Sequence, residues 1–566
     1  MGEFVLGMHA GHNASVCISD RSGLIYAIQE ERLTGEKNFW GFPRQALKAC
    51  MEYVGATPKD IATIAYGGEQ VPCKYHSRDD ILAAYQRQET LQGKLRQRLG
   101  MPIIMELMPR LGQDTLRQHL LTNGFGDVPV EHFDHHSAHA ATAYYGLRRS
   151  PNEEALVVTC DGAGDRICAT VRVYNDQGDD VISRTDWDNS LGAIYSWMTY
   201  GLGFVPLEHE YKLMGMAPYA SEKAARKIAQ IFHRYLAVDE DALGFKRRTL
   251  RRTNDISPSL FKDLHGKRFD HICAGLQLFT EEMLVTWITA AIKQTGVGRV
   301  LAGGGVFMNV KANQRIAALS EVASFEAFPS CGDESLSLGA CYLGCRRLFG
   351  EDAVHPLKHY YLGDAPSEPD IEAALAASGL EYQRPTQISD TVADLLAEGH
   401  PVARCAGRME FGARALGNRS ILGDPSDQDL VRIINRMVKK RDFWMPFAPM
   451  ILEERQHDYL QNAKELRSPY MMMTFATRDN FKDLIAAVHN ADLTCRAQIL
   501  SKDQNPAMHA ILKAFEQRTG RGVVLNTSFN LHGYPIVRTA DEALGVLQSS
   551  GLRFLQLGPF VVTKPC

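Results

Sequence analysis

Two sets of side chains with unlike chemistry stand on this one chain. The first is His135, His136 and His139, followed by Asp161-Gly162, Gly303-Gly304-Gly305 and Asp333. The second is Arg414 and Arg419, then Lys439 and Arg441, then Asn526, Ser528 and Asn530. Imidazoles and carboxylates suit a metal ion beside a nucleotide. Guanidinium, ammonium and neutral amide or hydroxyl groups suit a phosphate-bearing substrate. Together they imply an activated intermediate made at one site and used at another.

The first set has a local geometry. Asp134-His-His-Ser-Ala-His139 runs into the helix-prone Ala140-Ala-Thr-Ala-Tyr144. Residues four apart share a helix face, so His135 and His139 offer two imidazoles to one ion. His136 points about a third of a turn away and suits substrate or a contact behind the ligands. Asp161 and Asp333 each end an apolar, strand-like segment, where side chains meet a cleft. Two imidazoles and two carboxylates favour a divalent ion such as Fe(II), Mn(II) or Zn(II). The missing thiolates argue against a structural zinc site. A histidine pair on a helix also occurs as plain surface or core, and spacing alone leaves both readings open.

Phosphate chemistry has several carriers. Gly303-Gly-Gly-Val-Phe-Met-Asn309 follows the apolar Val300-Leu-Ala302 and precedes a helical stretch. Glycines there let the backbone approach a ligand and turn N–H groups toward phosphate, although a tight strand-to-helix turn needs them equally. Lys212 is a second phosphate partner, or a surface lysine. In the C-terminal half, Arg414 and Arg419 flank a turn containing Gly417, and Lys439 and Arg441 follow. Arginine gives planar, forked hydrogen bonds to phosphate and lysine gives a point charge. Asn526, Ser528 and Asn530 follow the apolar Gly522-Val-Val-Leu525 and add neutral groups. The competing reading is a set of exposed, salt-bridged cations.

These groups need a scaffold of at least two domains, since the chain has 566 residues. Phe4–Met8, Ser15–Ile18 and Leu24–Ile28 read as strands around a turn holding His12 and Asn13. Ala155–Thr159, a turn from Asp161 to Gly164, and Ile167–Val173 repeat that layout, which suggests a duplicated α/β core. Pro356, Pro366 and Pro369 mark an irregular stretch, so residues 1–354 form one domain, 355–368 a linker and 369–566 a second α/β domain. Leu91, Leu95 and Leu99 make a packing stripe in the helical Ile81–Leu99 segment, which shapes an acceptor pocket or an oligomer contact such as a homodimer interface.

Bulk properties exclude other classes. The net charge of -4 gives no general attraction to nucleic acid or membrane. The run Lys246-Arg247-Arg248 with Arg251-Arg252 reads as a solvated loop. The twelve cysteines are scattered without a CxxC pair, which fits a reducing compartment. The N-terminus has no basic, apolar leader, and no apolar run approaches the ~20 residues of a membrane span. A cytoplasmic protein is expected.

The ordered motifs resemble one family nearly end to end. They are Gly11-His-Asn-Ala-Ser15, Glu30-Glu-Arg32, His135-His-Ser-Ala-His139, Asp161-Gly162, Lys212-Leu-Met-Gly215, Gly303-Gly-Gly305, Asp333, Gly412-Ala-Arg-Ala-Leu-Gly417, Phe447-Ala-Pro449 and Leu525-Asn-Thr-Ser-Phe-Asn530. The chain is similar to the O-carbamoyltransferases that decorate antibiotics and Nod factors. The resemblance implies an actin-like (ASKHA, Kae1-like) duplicated α/β domain followed by a YrdC-like α/β domain. It implies that the second domain makes carbamoyladenylate from carbamoyl phosphate and ATP, with Mg²⁺ accompanying ATP. The first would then pass the carbamoyl group to a small-molecule hydroxyl acceptor, beside an Fe(II)-type ion.

Carried over by motif, the metal ligands are His135, His139, Asp161 and Asp333. His12, Lys37 and His136 fall at the transfer site. Asn13, Gly162, Lys212, Gly303, Gly304, Gly305 and Asn309 contact the nucleotide there. Arg414, Arg419, Lys439, Arg441, Asn526, Ser528 and Asn530 serve adenylation. The chain departs from the pattern at Asn13, where the family carries Asp, which leaves any basic role to His12. It departs again at Phe443 and Met445, where a phosphate contact is lost or supplied by Lys440. The competing functions are a kinase on the same actin-like fold, an ATP-driven switch, and threonylcarbamoyl transfer to RNA, for which the charge gives no footprint.

Overall fold

A computed structural model describes residues 2–72, 74–89, 101–175, 178–439 and 441–565, without the side chains of 88–89 and 101–110. The leucine stripe from Leu91 to Leu99 and Lys440 therefore lie outside the described residues. The protein is a mixed α/β structure divided into two units. One comprises residues 1–30 and 38–357, the other 31–37 and 358–566.

The first unit contains two five-stranded sheets of the same design. In the first, β1 (Phe4–His9), β2 (Ser15–Asp20) and β3 (Gly23–Gln29) form an antiparallel meander. Then β4 (Ile61–Gly67) and β5 (Val130–Phe133) add in parallel on the far side of β1, giving the order β3-β2-β1-β4-β5. In the second, β6 (Ala155–Gly164), β7 (Ile167–Asn175) and β8 (Gly178–Asp186) form the meander. A small hairpin, β9 (Leu236–Asp239) with β10 (Gly244–Arg247), follows. Then β11 (Arg299–Gly303) and β12 (Ser324–Ala327) extend β6 in parallel, giving β8-β7-β6-β11-β12.

In both sheets the first strand of the meander becomes the central strand. Its residues are apolar and buried on both faces, as a covered parallel strand requires: Val5, Leu6 and Met8 in β1, Leu156, Val157 and Val158 in β6. Helices His135–Leu147, Phe269–Thr295 and Leu336–Phe349 supply the cover. Trp197 belongs to this core: it is 3% exposed and its indole N–H donates to the Asn254 carbonyl. The basic run is salt-bridged at the surface, through Lys246 to Asp239 and through Arg247 and Arg252 to Asp188.

The second unit is built on one eight-stranded sheet. Its strands are β13 (Glu381–Gln383), β14 (Val402–Cys405), β15 (Arg419–Gly423), β16 (Ala448–Leu452), β19 (Gln498–Leu500), β20 (Val523–Ser528), β21 (Phe554–Leu557) and β22 (Phe560–Thr563). The two strands between β16 and β19, β17 (Phe475–Ala476) and β18 (Thr494–Cys495), pair with each other. The sheet order is β13-β22-β21-β14-β15-β20-β16-β19. Apolar clusters lie on it, one around Ile371, Leu430, Leu544 and Leu555, another around Leu396, Met508, Leu512 and Phe515.

Two stretches differ from the sequence-derived boundaries. Residues 358–364, expected within a linker, are woven into the second unit: Tyr361 donates to the Leu416 carbonyl, and Gly363 N–H to that of Met409. Glu31–Lys37 also belongs to the second unit, where Arg32 donates to the Gly412 carbonyl. Hydrophobic pattern reports burial but not which core a segment joins. Among the described residues no helix is long and apolar enough to cross a membrane.

Candidate functional site

The helix His135–Leu147 starts at a double anchor. Asp134 caps it by accepting from Ser137 N–H, and Asp165 accepts from the His135 N–H at 2.7 Å. Asp165 stands at φ 50 and also accepts from Glu69 and Gln70 N–H, so one carboxylate holds the helix start and the loop after β4. Gly164 lies against the His135 ring. A Cβ there would fall 2.1 Å from the ring, so no larger residue fits without displacing the imidazole.

His135 and His139 face Asp161, from the end of β6, and Asp333, from the turn before Leu336–Phe349. One ligand atom from each of the four lies within 4.8 Å of the others. His139 Nε2 is 3.1 Å from both His135 Nε2 and Asp161 Oδ2, and 3.6 Å from Asp333 Oδ1. His135 Nε2 is 3.6 Å from both carboxylates. Donors bound to one ion at about 2.0–2.2 Å stand roughly 3.0–3.5 Å apart, so the donor set fits a single divalent cation. The imidazoles are buried while the Asp161 and Asp333 side chains are 18% and 24% exposed, leaving an open carboxylate side.

The electrostatics reflect the crowding. Burial pushes the His139 imidazole down, but hydrogen bonds to Asp161 and Asp333 outweigh it and lift it to about 9. Burial pushes the Asp161 carboxyl up, and hydrogen bonds from His135 and His139 reverse this and hold it well below the usual carboxylate range. The glycine turn serves this carboxylate: Gly305 N–H donates to Asp161 Oδ2 at 3.2 Å. Gly304 stands at φ 92, where a Cβ would meet the Cys160 carbonyl at 2.4 Å. Gly162 N–H donates to Asp161 Oδ1, and the Gly162 carbonyl accepts from Ser190 Oγ.

Other expected residues are placed as follows. His12 sits on the β1–β2 turn, edge-on to Trp40 with centroids 5.8 Å apart. Asn13, at φ 58, donates from Nδ2 to Glu334 Oε2, next in chain to Asp333. Lys212 Nζ lies over the Phe204 ring at 5.4 Å. Asn309 caps Val310–Ala317, and its amide exchanges two 2.9 Å hydrogen bonds with Gln277. His136 does not offer a nitrogen to chemistry. Its Nδ1 bonds Thr159 Oγ1 at 2.8 Å and its Nε2 bonds the Ile167 carbonyl at 3.0 Å, both inside the fold. Burial, then His135 and His139, hold it well below the usual imidazole range.

In the second unit, the short helix Asn435–Lys439 delivers Lys439 to the end of β20. Lys439 Nζ donates to Ser528 Oγ at 3.0 Å and to both oxygens of Asn530. Burial, then Arg441 and Lys37, push its amine well below the usual lysine value. Lys37 therefore stands with this cluster in the second unit. Arg441 donates to Thr527 Oγ1 at 2.9 Å and lies over the Phe447 ring. Arg496, which no sequence motif flagged, joins them: burial, then Arg414 and Arg441, push its guanidinium well below the usual value. Cations gathered in a buried place can offset one another's repulsion by taking up an anion.

Two expected phosphate contacts are committed elsewhere. Arg419 is fully buried and donates to the carbonyls of Gly407, Asn418, Asp364 and Arg538. Asn526 donates to the Ala415 carbonyl and Gln498 Oε1. Both brace the loop that presents Arg414. Glu410 does the same, accepting from the N–H groups of Leu416, Asn418 and Arg419.

Comparison with known proteins gives a consistent family signal. A family model described as carbamoyltransferase N-terminus matches residues 5–342, and one described as carbamoyltransferase C-terminus matches 393–564. Nodulation protein NolNO of Sinorhizobium fredii is 29% identical over 570 residues, spanning 98% of this chain and 79% of that protein. Nodulation protein NolO of Bradyrhizobium diazoefficiens is 31% identical over 443 residues, spanning 76% of this chain and 79% of that protein. A solved structure of full-length HypF in a phosphate- and nucleotide-bound form aligns with 62% of this chain and 56% of its own, at 14% identity and a TM-score of 0.31, too distant to carry an argument.

Proposed function

The chain belongs to the carbamoyltransferase family, and from that premise we propose that it is an ATP-dependent O-carbamoyltransferase working through carbamoyladenylate. The first unit is read as an actin-like, Kae1-like transfer domain, a reading supported by its two sheets of equal order. The second is read as a YrdC-like adenylating domain. The observation that carries the proposal is the pair of unlike centres: four converging metal-type donors in the first unit and a buried cation cluster in the second.

Adenylation is the work of the second unit. Arg414, Lys439, Arg441 and Arg496 neutralise the phosphates of ATP and carbamoyl phosphate, which otherwise repel each other. Water releases phosphate from carbamoyl phosphate, and the resulting carbamate attacks the α-phosphorus of ATP while pyrophosphate leaves. The product is a mixed anhydride that a neutral hydroxyl can attack, with AMP as leaving group.

Transfer belongs to the first unit. His135, His139, Asp161 and Asp333 would hold a divalent ion, Fe(II), Mn(II) or Zn(II), which supplies Lewis-acid polarisation at an oxygen that gains charge in the transition state. His12, on the turn joined through Asn13 to the Asp333 turn, takes the proton from the acceptor hydroxyl. Such a base contributes on the order of 10²–10⁴ in rate. Ser190 and the N–H groups of Gly162 and Gly305 keep Asp161 in place.

The test is product analysis with carbamoyl phosphate, ATP and a library of hydroxyl compounds. Mass spectrometry should find acceptor carrying CONH₂ in place of H, with AMP formed in equal amount. A phosphate ester would establish a kinase instead, and full-rate transfer without any adenosine compound would refute the adenylate.

A further inference from the structure

The turn that carries His12 is tied to the turn that carries Asp333 through a buried carboxylate. Glu334 is 3% exposed. Its Oε2 accepts from Asn13 Nδ2 at 3.2 Å, and its Oε1 accepts from Ser330 Oγ. Ser15, at the start of β2, donates to the Glu334 carbonyl at 2.8 Å, and its Oγ lies 2.7 Å from Ser337 Oγ. The C-terminal end of the β1–β2 turn is thus fastened to residues 334–337.

The chemistry of position 13 follows from its neighbour. At φ 58 the backbone admits Asn or Asp almost equally, so conformation does not choose between them. The neighbour does. Both Glu334 oxygens act as acceptors, Oε1 toward Ser330 and Oε2 toward position 13, so Asn13 turns its NH₂ toward Glu334. An Asp in the same place would bring only oxygen atoms to Glu334 Oε2 and lose the amide donor.

We infer that Glu334 is a positioning residue of the transfer site. Through the Asn13 amide it sets where the His12 turn stands relative to Asp333, and it calls for a hydrogen-bond donor at position 13. The inference rests on the carbamoyl-transfer reading of that site. Glu334 acts through Asn13 and need not touch the reacting atoms. Its effect is on placement, where a shift of about 1 Å costs on the order of 10²-fold in rate.

The experiment is an exchange of hydrogen-bond donor and acceptor in the full-length protein. Transfer is measured from supplied carbamoyladenylate, with bound divalent metal and melting temperature recorded for each variant. Asn13→Asp should lower kcat roughly 10²-fold with little change in KM, as should Glu334→Ala. The double variant Asn13→Asp with Glu334→Gln restores one donor and one acceptor, and should recover to within about tenfold of the parent. Metal content and carbamoyl-phosphate-dependent pyrophosphate release should stay at parental levels throughout. The inference is overturned if Asn13→Asp is fully active, or if the double variant is no better than Asn13→Asp alone. If the parent transfers no carbamoyl group, the reading of the site fails instead. The pair is then judged by melting temperature, which Asn13→Asp should lower and the double variant restore.

Discussion

The Nε2 atoms of His135 and His139 stand 3.1 Å apart, on the same helix face and one turn removed. Each lies within 3.6 Å of Asp161 and of Asp333. Two imidazole nitrogens and two carboxylate oxygens so close need positive charge between them, either a proton or a metal ion. A cation supplied from solution should therefore bind here. Protein stripped with a chelator should take up about one equivalent of Fe(II), Mn(II) or Zn(II) by equilibrium dialysis. His139→Ala should abolish that uptake, and unchanged stoichiometry would locate the metal elsewhere.

The two centres should be separable by half-reaction. Asp161→Asn should reduce transfer from carbamoyladenylate by about a hundredfold or more, while carbamoyl-phosphate-dependent pyrophosphate release continues. Lys439→Ala should do the reverse, with supplied carbamoyladenylate restoring product. If both variants lose the same half-reaction, the assignment of one step to each unit is wrong.

Lys37 matches a family position at the transfer site, yet its segment packs with the second unit, where it bears on Lys439. Lys37→Gln should therefore raise KM for ATP or carbamoyl phosphate roughly tenfold in the pyrophosphate assay, equivalent to about 1.4 kcal/mol. Transfer from supplied carbamoyladenylate should be spared. Loss of that transfer with normal adenylation would return Lys37 to the first centre.

His9 should make stability sensitive to mild acid. It is 5% exposed, and its Nδ1–H donates to the Gly67 carbonyl at 2.9 Å. Burial pushes its imidazole from 6.5 down to about 4. The unfolded chain takes up a proton near 6.5 and the folded chain only near 4. Stability is therefore complete above pH 6.5 and falls as the pH drops toward 4, by on the order of 3 kcal/mol at most. His9→Asn keeps a donor for Gly67 but does not titrate. Its melting temperature should vary less than the parent's between pH 7 and 4.5, and an equal slope would exclude His9 as a source.

Much of the architecture is legible locally because alternation, turn residues and helix spacing are short-range properties. The strands around His12 and around Asp161 could be read from apolar runs broken by glycine and polar turns. The i, i+4 spacing of His135 and His139 alone puts both rings on one helix face. Position in the chain said nothing, however, about which core adopts Glu31–Lys37 or residues 358–364. Both segments are held by hydrogen bonds to backbone carbonyls distant in the chain, which no local pattern reveals.

The sequence by itself determined which chemistries were available: two imidazoles a turn apart, carboxylates at strand ends, and cations beside a glycine turn. Tertiary structure decided which of them meet. Asp333 lies far along the chain from His135, and only the packing of Leu336–Phe349 beside His135–Leu147 brings its turn to the ring nitrogens. The fold also separated residues that look equivalent. Arg414 bears on the buried Arg496, while Arg419, five residues on, spends its guanidinium on four carbonyls. His136, between the two ligand candidates, has both nitrogens bonded within the sheet. A side chain's type fixes how many hydrogen bonds it can make. Whether any remain for a ligand depends on partners distant in sequence, and only the folded chain brings those into reach.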